Sequence, residues 1–312
     1  MIKLLAYTDG RPAAAAALDF AAVLSQRLEA QLAVITVRSG THAAESPPPV
    51  GVAVPMSEQK RLSGGVKILV DAMERLAAAG VLEKSPDITI RDIPKGYMFT
   101  CRTSDGGRIP FYECFGSLVA TLNREVDEHR YQLLIIAPPR RGRWRGRIIG
   151  NPARKLALDL HTSLLLVRGG RPDSRYLVCT DGSVSSQRQL PLLRQLLPAI
   201  TSPVDLLWVQ RSDQPAASLK VAREALARTH DWLARCGKTT AIHIKPGERV
   251  AETVVETAGD DSVIMLGGSL RHDLYRRLVG SLPLQILANA PSSVLLVKQP
   301  PEADGDWFSE CP

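Results

Sequence analysis

The chain has 312 residues, 45% of them apolar and 23% charged, which allows two ordinary domains with their own cores and excludes disordered or collagen-like chains. No apolar run approaches the ~18 residues of a membrane span, and the first residues enter a strand without a signal-type leader, so a cytoplasmic protein with no membrane contact is expected. The net charge of +7 favours phosphate-bearing partners at long range, although many soluble proteins carry as much without one.

The five cysteines are odd in number, scattered and without a CxxC pair, so they predict reduced thiols rather than a disulfide framework or a zinc site. The six histidines show no metal-ligand spacing, and no nucleophile elbow or Ser-His-Asp order gives a case for catalysis.

In chain order, the first half predicts strands near 2–8, 31–37, 87–93, 132–137 and 163–168. The second half predicts strands near 176–180, 204–209, 241–245, 262–266 and 294–298, with helices near 184–198, 216–236, 248–258 and 270–289. Alternating strands and helices call for a mostly parallel sheet covered on both faces, and the apolar runs VIML and VLLV suit strands buried on both sides. A strand running into Asp-Gly opens each half, at Asp9-Gly10 and at Asp181-Gly182, and an apolar strand closes each, so the chain is a tandem repeat.

From Asp9 to Gly150 is 141 positions and from Asp181 to Gly280 is 99, so the first copy carries 42 more. Part of the excess is the proline-rich stretch 41–56, predicted as an extended, poorly structured connection. The rest is 94–116, where aromatic-rich runs flank Ser104-Asp105-Gly106-Gly107 and predict an inserted hairpin. Its arms would carry Cys101 and Cys114, either as packing thiols or as a redox-sensing pair. The tail 301–312 has no pattern and is expected to fray.

Ligands of an open parallel sheet sit beyond the carboxyl ends of its strands, where the strand order reverses. Asp9 and Asp181 end the first strand of each copy. Gly267-Gly268-Ser269 ends the fourth strand of the second copy, and Gly280-Ser281 opens the following helix, where phosphate oxygens could reach backbone amides.

This order and spacing over nearly the whole chain resembles a tandem universal stress protein. In that family the ATP signature is a glycine, two residues, a glycine, nine residues, then Gly-Ser or Gly-Thr, with a strand-ending Asp upstream. Gly267 and Gly280-Ser281 keep the frame here, with Leu270 at the middle glycine. The resemblance implies two tandem α/β domains, Rossmann-like (adenine nucleotide alpha hydrolase-like), each an open five-stranded parallel sheet with helices on both faces. They would span 1–170 and 171–300, ahead of the tail. It implies Asp181 on ribose or adenosine, Val209 beside adenine, and Gly267, Gly268, Arg271, Gly280 and Ser281 around the phosphates of ATP with magnesium. It also implies closing strands paired edge to edge, an internal pseudo-dimer that can associate further into a homo-oligomer.

The first copy departs further, with Ala137 and Arg140 at the two glycine positions and Gly150-Asn151 for Gly-Ser, so nucleotide binding there is not expected. Arginines at 140, 141, 143, 145 and 147 with Trp144, and Arg271, His272, Arg276 and Arg277 in the second copy, suit a solvated loop, a small anion or nucleotide, or, least of all, nucleic acid. Three functions stay open: a stress-response regulator binding an adenine nucleotide in the second domain, a non-nucleotide module docking a protein partner, and a slow ATP hydrolase.

Overall fold

The computed structural model describes residues 1–40, 48–59, 61–62, 64–83, 87–138, 151–168, 171–268, 282–298, 308 and 311–312. The chain forms two compact units, Met1–Arg141 and Gly142–Pro312.

The first unit comprises β1 (Lys3–Tyr7), α1 (Pro12–Arg27), β2 (Gln31–Arg38), β3 (Ala53–Val54), α2 (Met56–Gln59) and α3 (Gly64–Ala78). There follow β4 (Ile88–Thr89), β5 (Arg91–Ile93), β6 (Gly96–Arg102), β7 (Arg108–Phe115), α4 (Leu118–His129) and β8 (Leu133–Ile136). Its sheet runs β8-β1-β2-β7-β6-β5. Strands β8, β1, β2 and β7 are parallel, and β6 and β5 continue the edge in antiparallel pairing. Leu4, Leu5, Ala6, Val34, Ile35 and Leu133 to Ile135 are all buried, because helices cover both faces and neither face is left for polar alternation.

The predicted hairpin is present, but it is not an appendage. Its second arm, β7, is the parallel neighbour of β2, so the strand expected at 87–93 does not hold the third place in the sheet. Packing decides this: Ile109 and Phe111 of β7 are buried and Phe111 stacks on Phe99 at 4.9 Å, whereas the short β5 is largely exposed. Cys101 faces Ile109 and Cys114 faces Gly96 across the hairpin, five residue steps apart along the arms. At ~3.4 Å per residue that separation is about 17 Å, far too long for a redox pair. The proline-rich connection also carries more order than expected, since Ala53 and Val54 pair with Thr89 and Ile88 and Val54 is buried; its residues 41–47 lie outside the described residues.

The second unit comprises α5 (Asn151–Asp159), β9 (Ser163–Leu166), β10 (Arg175–Cys179), α6 (Val184–Gln187), α7 (Leu190–Leu196) and β11 (Val204–Gln210). There follow α8 (Ala216–Arg235), β12 (Ile242–Pro246), α9 (Val250–Ala258), β13 (Ser262–Gly267), α10 (Leu282–Asn289) and β14 (Ser293–Val297). Its sheet runs β12-β11-β10-β13-β14-β9, the first five strands parallel. The single helix expected over 184–198 is split at Arg188-Gln189, where the Gln189 side chain donates to the Cys179 carbonyl.

The closing strands of the two repeats meet in this unit. β9 pairs antiparallel with β14, and Leu165 faces Leu295, its own counterpart in the repeat. Two apolar edges that would each template aggregation are thereby removed. The same pairing brings α5 and β9, which belong to the first repeat by sequence, into the second unit.

Two thiols and the tail depart from expectation. Cys236 and Cys311 form a disulfide, with their Cα atoms 5.2 Å apart. Phe308 meets Trp232 edge-on at 6.1 Å, so at Phe308 and Cys311 the tail is held rather than frayed. Nothing local in the sequence signals a partnership across 75 residues. The other three cysteines are free: Cys101 and Cys114 are buried, Cys179 is half-buried, and loss of solvent pushes each thiol up to about 12.

Candidate functional site

The strand order of the second unit reverses at β10, whose neighbours are β11 on one side and β13 on the other. Helical connections therefore leave in opposite directions and open a crevice at the carboxyl ends of these strands. Cys179 pairs with Leu207 of β11 and with Leu266 of β13. Asp181 follows β10 by two residues, Val209 is the penultimate residue of β11 and Gly268 follows β13, so all three lie toward the carboxyl ends of adjacent strands.

Asp181 is exposed, and one carboxylate oxygen accepts the Ser183 amide at 2.9 Å, a turn in which the side chain fixes its own loop. Among the described residues Asp181 has no other partner. Gly182 has φ +75°, and a side chain there would also strike the Val221 carbonyl, so the tight turn that presents Asp181 demands glycine. The loop is held from behind: Thr180 Oγ1 accepts the Gly182 amide at 3.2 Å and lies 3.0 Å from Ser186 Oγ, Ser183 Oγ accepts the Ser186 amide at 3.3 Å, and Gln187 Nε2 donates to the Gly182 carbonyl at 2.8 Å. These hydroxyls were not picked out by sequence reasoning. The run Ser-Val-Ser-Ser-Gln after Asp-Gly was the available signal.

Val209 is buried at the end of β11, and its Cγ1 lies where a side chain on Gly247 would have to go.

Gly267 and Gly268 each have a packing role. A Cβ on Gly267 would fall inside the Ser185 carbonyl oxygen, so the glycine lets β13 close against α6. The Gly268 amide is spent on the Val297 carbonyl at 2.7 Å, and a Cβ there would press on Leu296. Both positions are explained by packing, and the Gly268 donor is not open to phosphate. Arg271, Gly280 and Ser281, together with Leu270, lie outside the described residues. At this strand end the Gly268 amide is thus already taken, while the Asp181 carboxylate lies exposed to solvent.

The first repeat differs in chemistry at the equivalent strand end. Asp9 takes the Arg11 amide at 3.0 Å as Asp181 takes that of Ser183, but Arg11 adds an ion pair at 3.4 Å. Gly10 repeats the left-handed turn at φ +74°, packed against Ile68. Arg140 and Gly150 lie outside the described residues, and so do the other loop arginines of both repeats. The Gly65 amide of the first repeat donates to the buried carboxylate of Glu113 at 2.8 Å. Among the described residues no cluster could hold a metal ion, and no helix is long and apolar enough to cross a membrane.

Residues 1–168 match the model of the universal stress protein family. Among solved structures, a universal stress protein from Archaeoglobus fulgidus DSM 4304 is 14% identical, with 96% of this chain and 97% of that one covered at a TM-score of 0.60. A putative universal stress protein from Pseudomonas aeruginosa UCBPP-PA14 is 14% identical over 95% of this chain and 92% of that one, at 0.60. A functionally unknown protein from Pseudomonas aeruginosa PAO1 is 15% identical over 95% and 92%, at 0.59. No curated protein matches the chain. At these identities the structures show a shared fold over both repeats, while the family match covers more than half the sequence directly. On that match the chain belongs to the universal stress protein family.

Proposed function

We propose that the protein is a stress-response regulator that holds an adenine nucleotide in the crevice of its second repeat. The observation that carries this reading is the exposed Asp181 carboxylate, with one partner among the described residues, following β10 at the point where the strand order reverses, with the buried Val209 near the end of the neighbouring β11. Asp181 accepts from the ribose hydroxyls and Val209 packs on adenine. With Gly267 and Gly268 committed to packing, the phosphates depend on Arg271, Gly280 and Ser281, and ATP with magnesium is the ligand to test first. The first repeat is the degenerate one, its Asp9 already neutralised by Arg11. The protein acts in the cytoplasm, with the β9–β14 pair making one chain the counterpart of a dimer and a further copy able to associate.

The commitment of both glycines favours a second reading, a non-nucleotide module that docks a protein partner. Calorimetric titration with ATP and magnesium, with AMP and a DNA oligonucleotide alongside, separates the two. Saturable binding of ATP near one per chain, weakened in Asp181→Ala, supports the nucleotide site. Absence of heat with both ATP and AMP rejects it in favour of the docking module.

A further inference from the structure

Phe308 does not lie on open surface. It closes a slot lined by Val178, Thr180, Ser186, Gln187 and Thr229, directly behind the loop that presents Asp181. Its ring meets Trp232 at 6.1 Å and lies 5.7 Å from the Arg228 guanidinium carbon, and its carbonyl accepts from Arg235 at 2.8 Å. Trp232, Arg228 and Arg235 all belong to α8, and Cys236, bonded to Cys311, is the residue that caps this helix.

Accessibility separates this pair of sulfurs from Cys101 and Cys114. Cys311 is exposed and Cys236 half-exposed, so a reductant can reach the bond, whereas burial at Cys101 and Cys114 keeps those thiols protonated and shielded. In a reducing compartment an accessible disulfide is a responsive element rather than a permanent staple.

We propose that Cys236–Cys311 is a reducible latch that seats Phe308 behind the Asp181 loop and so couples the redox state of the cell to the rigidity of that loop. A thiolate of a dithiol reductant attacks one sulfur, the Cys236–Cys311 bond breaks, and the leaving cysteine takes a proton. The second thiol of the reductant then closes its own disulfide and frees the other cysteine, so two electrons and two protons pass to the pair. Closure uses a peroxide: one thiolate attacks the O–O bond to give a sulfenic acid and water, and the second thiol displaces the hydroxyl as a second water. Once reduced, Phe308 is no longer tied to α8 through Cys311, and the cover it gives to Thr180, Ser186 and Gln187 loosens.

The test is hydrogen exchange of the full chain, oxidised with hydrogen peroxide or reduced with dithiothreitol, with thiol alkylation to count the bond in each state. Reduction is expected to speed exchange in 180–189 by about tenfold, the factor equivalent to an aromatic contact of about 1.4 kcal/mol. Cys311→Ser should show the fast rate with or without reductant, and Phe308→Ala should show it with the disulfide intact, which separates loss of the ring from loss of the cross-link. Alkylation of both cysteines after peroxide treatment, or equal exchange in 180–189 in the two redox states, overturns the proposal. No nucleotide enters the measurement, so it stands or fails apart from the function proposed above.

Discussion

Arg168 and Lys298 are counterparts in the repeat, and each caps the last helix of the other copy. Arg168, just after β9, donates to the carbonyls of Ala290 and Leu287 at the end of α10, at 2.6 and 2.5 Å. Lys298, just after β14, reaches the carbonyls of Leu160 and Leu158 at the end of α5, at 2.8 and 3.4 Å. Their amides are exchanged as well, Arg168 N–H to Ser293 Oγ at 3.2 Å and Lys298 N–H to Ser163 Oγ at 3.1 Å. Cations at helix C-termini meet carbonyls with no helical partner and the negative end of the dipole, so the β9–β14 pair is locked by its flanks as well as by its ladder.

Replacing Arg168 with Ala removes two charge-assisted hydrogen bonds from half-buried carbonyls. Stability should fall by about 3 kcal/mol in a urea titration followed by circular dichroism. A fall below about 0.5 kcal/mol would show that the exchanged cap contributes little to holding the closing strands.

Lys298 predicts a pH signature. Burial lowers its pKa from 10.5 to about 8. Between those values the unfolded chain holds the proton and the folded chain does not, so stability from this residue rises with pH through the window, by about 1.4 kcal/mol per unit at most. Below pH 8 the lysine is charged in both states and its burial penalty is fully present. Lys298→Met should lack the rise, which is read as the difference between wild-type and variant denaturation at pH 7.5 and pH 10. Parallel curves for the two proteins would refute it. Taking the difference cancels the opposite alkaline trend expected from the buried thiols.

Asp181→Ala should weaken ATP or AMP by roughly 10- to 100-fold, the loss of one or two hydrogen bonds to a charged acceptor. Asp9→Ala should leave the affinity unchanged, because Arg11 already occupies that carboxylate. An equal loss in both variants would place the ligand elsewhere.

Gly267→Ala tests the packing role of that glycine. The added methyl meets the Ser185 backbone, which cannot swing aside as a side chain can, so a destabilisation of about 3 kcal/mol is expected with or without ligand. Loss of nucleotide affinity with stability intact would restore the phosphate-loop role.

The hairpin is tested by excision. Joining residue 95 to 116 removes the third parallel strand along with Phe99 and Phe111, so the first unit should fail to fold cooperatively, which calorimetry would show as a lost transition. A retained transition would mean that the hairpin is an appendage after all. Phe111→Ala alone should cost about 4 kcal/mol.

By itself the sequence determined the alternation of strands and helices, the two Asp-Gly turns and two apolar closing strands, because each is written in local periodicity, in φ-permissive residues or in a repeated pattern; the pairing of those closing strands was implied by the family resemblance. The positions of Asp181 and Val209 were legible for the same reason: Asp181 follows β10 and Val209 lies near the end of β11, at the reversal of strand order. The tertiary structure alone decided that β7 rather than the segment 87–93 stands beside β2, that Gly267 and Gly268 serve packing, and that Arg168 and Lys298 exchange caps. It alone brought Cys311 to Cys236 and Phe308 to Trp232. Each of those outcomes depends on which distant surface fills a given volume or satisfies a given carbonyl, and no spacing along the chain records that choice.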